Sequence, residues 1–422
     1  MKVQKIEKPY YDIYFLKNNK FKTILISTLL LNELDYNNIT KDKLISDYLV
    51  MSTKKYNNEV LLSRKLMDLY DPRIDIYDIY LGLHIKCFDM HFLNEKYTEK
   101  GMNKKTIDFY YDMIFNPNVK DNKFDKSNFN LIKNSLKTNF SIRDENPNEL
   151  AFYNAMKNIK EDIPIAHDNR GNIKDLNKID YKNVCNYYFS ELNNSRLCIF
   201  VLGDIDKKKL EEIIDNNLCN KKFIKMIDYK KEYELDNTII NKEIVDKSKF
   251  NETIIYIVYK ILNMSKRERY IVLPVLNEIL GGSSSKLFNN VREKNSLAYY
   301  AYSNYSPSQG ILYMYAGIDK VKKDKAIKVM ESQLKYIIEG DISDDELNGS
   351  KNTLINAIEL ISDNEYKLIN DLKLVTLLGR DSYEDKAKLY NSVTKDEIIE
   401  LAKKLKKYFI YTLEGDNRNE KN

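Results

Sequence analysis

Arg292 and Tyr299, seven residues apart in the stretch REKNSLAYYAYSNYSPSQG (292–310), are the clearest candidates for chemistry in this sequence. A helical pattern ends near the arginine, a tyrosine-rich strand begins near the tyrosine, and a turn at Ser306-Pro307 to Gly310 leads into a second strand, which makes a hairpin. A guanidinium at a helix end and a phenol at a strand start, brought together by a chain reversal, could donate hydrogen bonds to a peptide carbonyl or a developing oxyanion. The plainer alternative is that Arg292 offsets Glu293 and other carboxylates while Tyr299 packs in the hairpin.

The elements that position this pair begin upstream. Gly281-Gly282 is expected to end a helix by accepting the left-handed conformation. Ser283, Ser284 or Ser285 can then cap a new helix over 286–294. This glycine-serine loop lacks the P-loop spacing and no strand precedes it, so it reads as punctuation rather than a phosphate cradle.

Metal-binding side chains are sparse. The three histidines are His84, His91 and His167. The first two share a strand pattern at an odd spacing, which puts them on opposite faces and argues against a shared metal. His167 sits beside Asp168 in a loop pattern, where a surface or capping role is expected. The four cysteines, Cys87, Cys185, Cys198 and Cys219, form no C-x-x-C pair; buried free thiols are expected, not a zinc-thiolate site or a disulfide framework.

At 422 residues, 43% hydrophobic and 31% charged, the chain suits two globular domains. A net charge of +5, with lysine runs on helical patterns beside acids, gives solvated faces and no nucleic-acid footprint. The N-terminus lacks the apolar segment of a signal peptide, and the longest apolar run, Ile24 to Leu31, is strand-sized. A cytoplasmic protein with no membrane insertion is expected.

The order of elements repeats at half the chain length. Helical patterns at 124–140 and 342–362 are each followed by helix, strand and Gly-Asp, ending at Gly203-Asp204 and Gly415-Asp416. A charged stretch without periodicity reads as a linker over 220–245, between domains at 1–219 and 246–422. Alternating strands with long amphipathic helices predict an α+β fold: in each half an antiparallel or mixed sheet covered by helices.

The segment LGGSSSKLFNNVREKNSLAYYAYS resembles the C-terminal-domain signature of the pitrilysin/insulinase metallopeptidase family, a glycine-rich loop leading into a helix that ends R-E-K, followed by L-A-Y. The resemblance is strong over 280–319 and weaker elsewhere. It implies two homologous sheet-plus-helix sandwich domains of the mitochondrial-processing-peptidase-like metallohydrolase fold. It also implies that Arg292 and Tyr299 match the family's pair, which contacts the substrate backbone opposite a zinc centre, and that Gly281, Gly282 and Ser283 form a substrate-binding loop. Asn295-Ser296 replaces the common Arg-Gly.

Peptide-hydrolysing members carry H-x-x-E-H on an N-domain helix and a glutamate ligand further on. Aligning the T-K-K-Y end of TKDKLISDYLVMSTKKY puts Lys43, Ser46 and Asp47 at the motif positions, with a one-residue slip left open. Residues 126–143, where the third ligand is expected, contain no carboxylate. The resemblance therefore implies a non-catalytic subunit of a bacterial heterodimeric peptidase, with no metal or other cofactor bound by this chain. Zinc would sit on a homologous partner subunit, a peptide would be the substrate, and Arg292 and Tyr299 would act in trans. The alternatives are a non-enzymatic structural or peptide-binding scaffold of the same fold, and a self-contained hydrolase with a relocated metal site.

Overall fold

The structure, a computed structural model, describes residues 3–240 and 242–416. It divides into two compact units, each α+β. Neither is one continuous stretch of chain. Unit 1 comprises Met1–Ser141, Asp168–Lys230 and Glu365–Lys373; unit 2 comprises Ile142–His167, Lys231–Asn364 and Leu374–Asn422.

Unit 1 is built from β1 (Gln4–Glu7), β2 (Tyr11–Lys17), β3 (Thr23–Asn32), β4 (Arg73–Tyr80), β5 (His84–Leu93), the short hairpin β6 (Val119–Lys120) and β7 (Lys123–Phe124), and β8 (Arg196–Gly203). Its main sheet runs β1-β2-β8-β3-β5-β4, parallel only between β2 and β8. The apolar run noticed in the sequence is β3, the central strand, which explains why it does not alternate: both its faces are covered. Ile24, Ile26, Leu30, Phe88, Met90 and Phe92 pack with the helices Ile39–Leu49, Met102–Phe115, Asn183–Asn194 and Lys207–Leu218 in one core. His84 and Lys86 share the parity of Phe88 and Met90, so the strand period carries them onto the same helix-covered face. On the opposite face His91 meets Glu365 at 2.8 Å and Asp89 meets Lys373 at 3.4 Å.

Unit 2 contains β9 (Glu243–Lys247), β10 (Thr253–Ile261), β11 (Ala298–Ser306), β12 (Ile311–Ile318) and β13 (Leu405–Glu414). Its sheet runs β11-β12-β10-β13-β9, parallel only between β9 and β13. Leu312, Met314 and Ala316 face helices Leu273–Gly281, Lys323–Ile338, Asp344–Glu359 and Lys395–Lys403. Tyr256, Tyr313 and Tyr411 pack on the other face with Ala151 and Ala155 of helix Pro147–Met156.

Read from its parallel pair outward, the order β2-β8-β3-β5-β4 in unit 1 is the order β9-β13-β10-β12-β11 in unit 2, with the same strand directions. Gly203 ends β8 and Gly415 follows β13, so the half-chain echo in the sequence is a repeated supersecondary unit. The helical patterns expected at 124–140 and 342–362 are Lys126–Glu145 and Asp344–Glu359; the latter opens with a Ser343/Glu346 capping box. Between the last helix of unit 1 and β9, residues 221–240 form no helix or strand, while Glu243–Lys247 pairs with β13. Three cysteines are buried as expected, but Cys219 is exposed, because the helix Lys207–Leu218 ends just before it. Among the described residues no helix is long and apolar enough to cross a membrane.

Candidate functional site

The Arg-Tyr pair of unit 2 is assembled by three local devices. The Ser285 hydroxyl accepts the Phe288 N–H at 3.2 Å and caps the helix. The helix then widens: Phe288–Glu293 takes the π form, with Lys294 N–H donating to the Asn289 carbonyl at 2.9 Å, and Arg292 falls near its end. Ser296 reverses the chain in the left-handed region at φ +49°, where a glycine would be unstrained. Finally β11 opens on a bulge between Ala298 and Tyr300, which leaves Tyr299 as the extra residue and turns it outward.

Both side chains reach solvent and line one pocket of about 280 Å³ together with Leu297, Asp319 and Lys322. Tyr299 is 58% exposed and its hydroxyl donates to the Asp319 carboxylate. Lys322 pairs with the same carboxylate at 2.8 Å and donates to the Ser296 carbonyl. The Lys322 ammonium, and then the Tyr299 hydroxyl, hold the Asp319 carboxyl below the usual carboxylate range. The Arg292 guanidinium lies over the Phe288 ring at 5.0 Å and 3.6 Å from Glu293. The pocket thus offers a fixed cation and a held phenol to an oxygen-bearing ligand. Asp319 and Lys322 escaped the sequence reading because only the β11–β12 pairing carries them to Tyr299.

The glycine loop behaves otherwise than expected. The helix Leu273–Gly281 does end there, but neither glycine adopts a positive φ; Gly282 sits at φ −72° in extended backbone. What requires glycine at 281 is close approach, since a Cβ there would lie 2.1 Å from the Ser303 backbone nitrogen of β11. Ser283 lines a separate pocket of about 220 Å³ with Glu278, Asp345 and Glu346, not the one holding Arg292 and Tyr299.

In unit 1, Lys43, Ser46 and Asp47 lie on the helix Ile39–Leu49. Lys43 and Asp47 are one turn apart and form an ion pair at 2.6 Å, both about a third exposed. An ammonium bonded to a carboxylate thus occupies the positions that the resemblance aligns with the zinc motif, and an ammonium cannot ligate zinc. Ser46 points inward, donating to Asp78 Oδ2 at 2.6 Å. The helix Lys126–Glu145 carries no carboxylate over 126–143.

Beneath this helix lies a buried polar cluster that sequence reasoning missed. His84 Nε2 is 2.7 Å from Asp78 Oδ1 and 3.7 Å from Asp42 Oδ2, while Nδ1 is 3.3 Å from Glu191 Oε1. Lys86, opposite Asp78 in the β4–β5 ladder, reaches it at 2.7 Å. Tyr187 and Tyr80 donate to the two oxygens of Asp42 at 2.9 and 3.2 Å. Burial pushes Asp42 up to about 6, with His84 and Lys86 opposing. Burial alone would lower His84, but Asp42, Asp78 and Glu191 outweigh it and lift it to about 10. The only advance signal was His84 itself; Asp42, Asp78 and Glu191 are scattered through the chain. His91 pairs with Glu365 and His167 with Asp162 at 2.9 Å, so the three histidines have separate partners.

Comparison with known proteins places these features. Residues 178–354 match the family described as Peptidase M16 inactive domain. The chain is 25% identical over 408 residues, 95% of either sequence, to the probable inactive metalloprotease YmfF of Bacillus subtilis (strain 168). It is 32% identical over 143 residues, 33% of this chain and 35% of the relative, to the uncharacterized zinc protease YmxG of the same strain. A conserved protein from Enterococcus faecalis V583 shares its fold with a TM-score of 0.91 and 25% identity, covering 99% of both chains. In sequence and in fold the chain is therefore similar to the M16 (pitrilysin/insulinase) metallopeptidases, over 178–354 to their inactive domain, and its sequence holds no H-x-x-E-H motif.

Proposed function

We propose that this chain is one subunit of a two-chain zinc peptidase, binding peptide and supplying Arg292 and Tyr299 to a homologous subunit that carries the catalytic zinc. The observation that supports it most is a contrast within the chain. Lys43 and Asp47 form an ion pair at positions that the resemblance aligns with the zinc motif, yet Arg292 and Tyr299 are solvent-accessible polar side chains lining one pocket. In such a pair the partner's zinc supplies the activated water. The guanidinium of Arg292 and the phenol of Tyr299 bind the carbonyl oxygen near the scissile bond and stabilise charge as it develops. β4 and β11 are edge strands whose outer backbone groups suit pairing with an extended peptide.

The test is hydrolysis of a quenched peptide library by this chain, by a zinc-motif homologue, and by the two mixed. Activity confined to the mixture, and abolished by substituting the homologue's motif glutamate, is the expected result. Hydrolysis by this chain alone would overturn the reading, and silence in all three samples would favour the scaffold.

A further inference from the structure

The helix-covered end of unit 1's sheet brings together groups that the peptidase reading does not use. Asp42 comes from the helix Ile39–Leu49, Asp78 from β4, His84 from β5 and Glu191 from the helix Asn183–Asn194. One carboxylate oxygen from each aspartate and one imidazole nitrogen lie within 4.8 Å of one another. We propose that Asp42, Asp78 and His84 form a buried, non-catalytic site for a divalent transition-metal cation, zinc being the first choice, with Glu191 orienting the imidazole.

Four features of the cluster support a cation there. First, spacing: ligand atoms around a tetrahedral ion at its usual bond length lie about 3.3 Å apart. His84 Nε2 stands 2.7 Å from Asp78 Oδ1 and 3.7 Å from Asp42 Oδ2, values that bracket this separation. Second, the other face of the imidazole is held as a metal-bound histidine needs: Nδ1 meets Glu191 Oε1 at 3.3 Å, a carboxylate–histidine–metal arrangement. Third, Glu191, only 7% exposed, keeps its second oxygen Oε2 buried without a hydrogen-bond partner.

Fourth, charge. The three carboxylates face a single ammonium, Lys86, which is fully buried and bonded to Asp78 at 2.7 Å and Ser46 at 3.3 Å. The carboxylates also hold the His84 imidazole charged, so one negative charge is left over in a dry interior, and a divalent cation that displaces the imidazole proton leaves none. Lys86 thereby holds the Asp78 carboxylate rather than replacing the metal. The donor set, one nitrogen and two carboxylates, suits zinc or manganese better than calcium, which takes six or more oxygens. The side chains of Asp42, Asp78 and His84 are at most 3% exposed, so a bound ion holds the helix to the sheet and has no access to substrate. This site is distinct from the positions of Lys43 and Asp47, whose ion pair faces outward.

The experiment uses the full chain alone, so its outcome is independent of any partner-dependent activity. The protein is stripped with a chelator and dialysed, then titrated with zinc chloride or manganese chloride by calorimetry in two buffers of different ionisation enthalpy, and bound metal is counted by mass spectrometry. Stoichiometric uptake with proton release is expected. His84→Gln should abolish it, Glu191→Gln should weaken it roughly 10- to 100-fold as an outer-shell change does, and His91→Gln and His167→Gln should bind like wild type. Absence of stoichiometric binding by the wild-type chain would overturn the site. So would uptake that survives in a folded His84→Gln protein, or that falls in His91→Gln or His167→Gln, since that metal would be bound elsewhere.

Discussion

The corresponding strands β5 and β12 occupy the same place in two sheets that share the order of five strands, yet their helix-covered faces carry opposite chemistry. β12 presents Leu312, Met314 and Ala316 to its helices, whereas β5 presents His84 and Lys86 before turning apolar at Phe88. The scaffold therefore does not dictate whether that end of the sheet is oily or ionic. Buried charge persists in unit 1 because partners converge on it from four elements, and a fully buried ammonium without them would be costly. The edge strands differ as well: β11 opens on a bulge that turns Tyr299 outward, while β4 pairs with β5 in unbroken register.

The largest effect should come from breaking that ionic end. Lys86→Met is expected to destabilise the protein by about 3–5 kcal/mol in urea unfolding, because three buried carboxylates lose the one ammonium that faces them, the one bonded to Asp78. Tyr315→Phe in unit 2, which retains the stack on Tyr256 at 5.5 Å, should change stability by less than about 0.5 kcal/mol. Equal effects of the two substitutions would erase the distinction between the units.

Next in size is catalysis in the proposed two-chain complex. Arg292→Ala and Tyr299→Phe should each lower turnover about 10- to 1000-fold without altering unfolding or assembly, the range for loss of an oxyanion donor. Unchanged turnover in both would return the pair to the surface role that spacing alone allowed.

Thiol labelling can follow unit 1 separately, because all four cysteines lie there and none in unit 2. Burial pushes Cys87 and Cys198 up to about 12 and Cys185 up to about 11, so at pH 8 they stay protonated as well as shielded. Cys219 should label at once and the other three only as unit 1 opens, faster in Lys86→Met. Fast labelling of more than one thiol in the native protein would contradict the burial described above.

The smallest effects concern solvent-facing residues. Lys43→Ala should cost under about 1 kcal/mol, since the Lys43–Asp47 pair is a third exposed and screened by water, in contrast to Lys86. Ser296→Gly should stabilise by about 0.5–1 kcal/mol by relieving the left-handed backbone at φ +49°, measured as a shift in the urea midpoint.

Much of this protein is determined by local pattern. The repeated order of helices and strands, the α+β class, the helix stop at Gly281-Gly282, the Ser285 cap and the proximity of Arg292 to Tyr299 all depend on residues a few positions apart. The Lys43–Asp47 pair is likewise one helical turn, and the missing H-x-x-E-H motif is plain from composition. Tertiary structure alone decided the rest. Asp42, Asp78, His84 and Glu191 meet because β4 pairs with β5 and two helices cover the same sheet end, contacts distant in sequence that leave no periodic trace. The reason for glycine at 281 was invisible for the same cause: the strand it must clear, at Ser303, lies beyond a helix and a chain reversal. A strand's parity could place His84 and His91 on opposite faces, but only folding could give one of them three buried carboxylates.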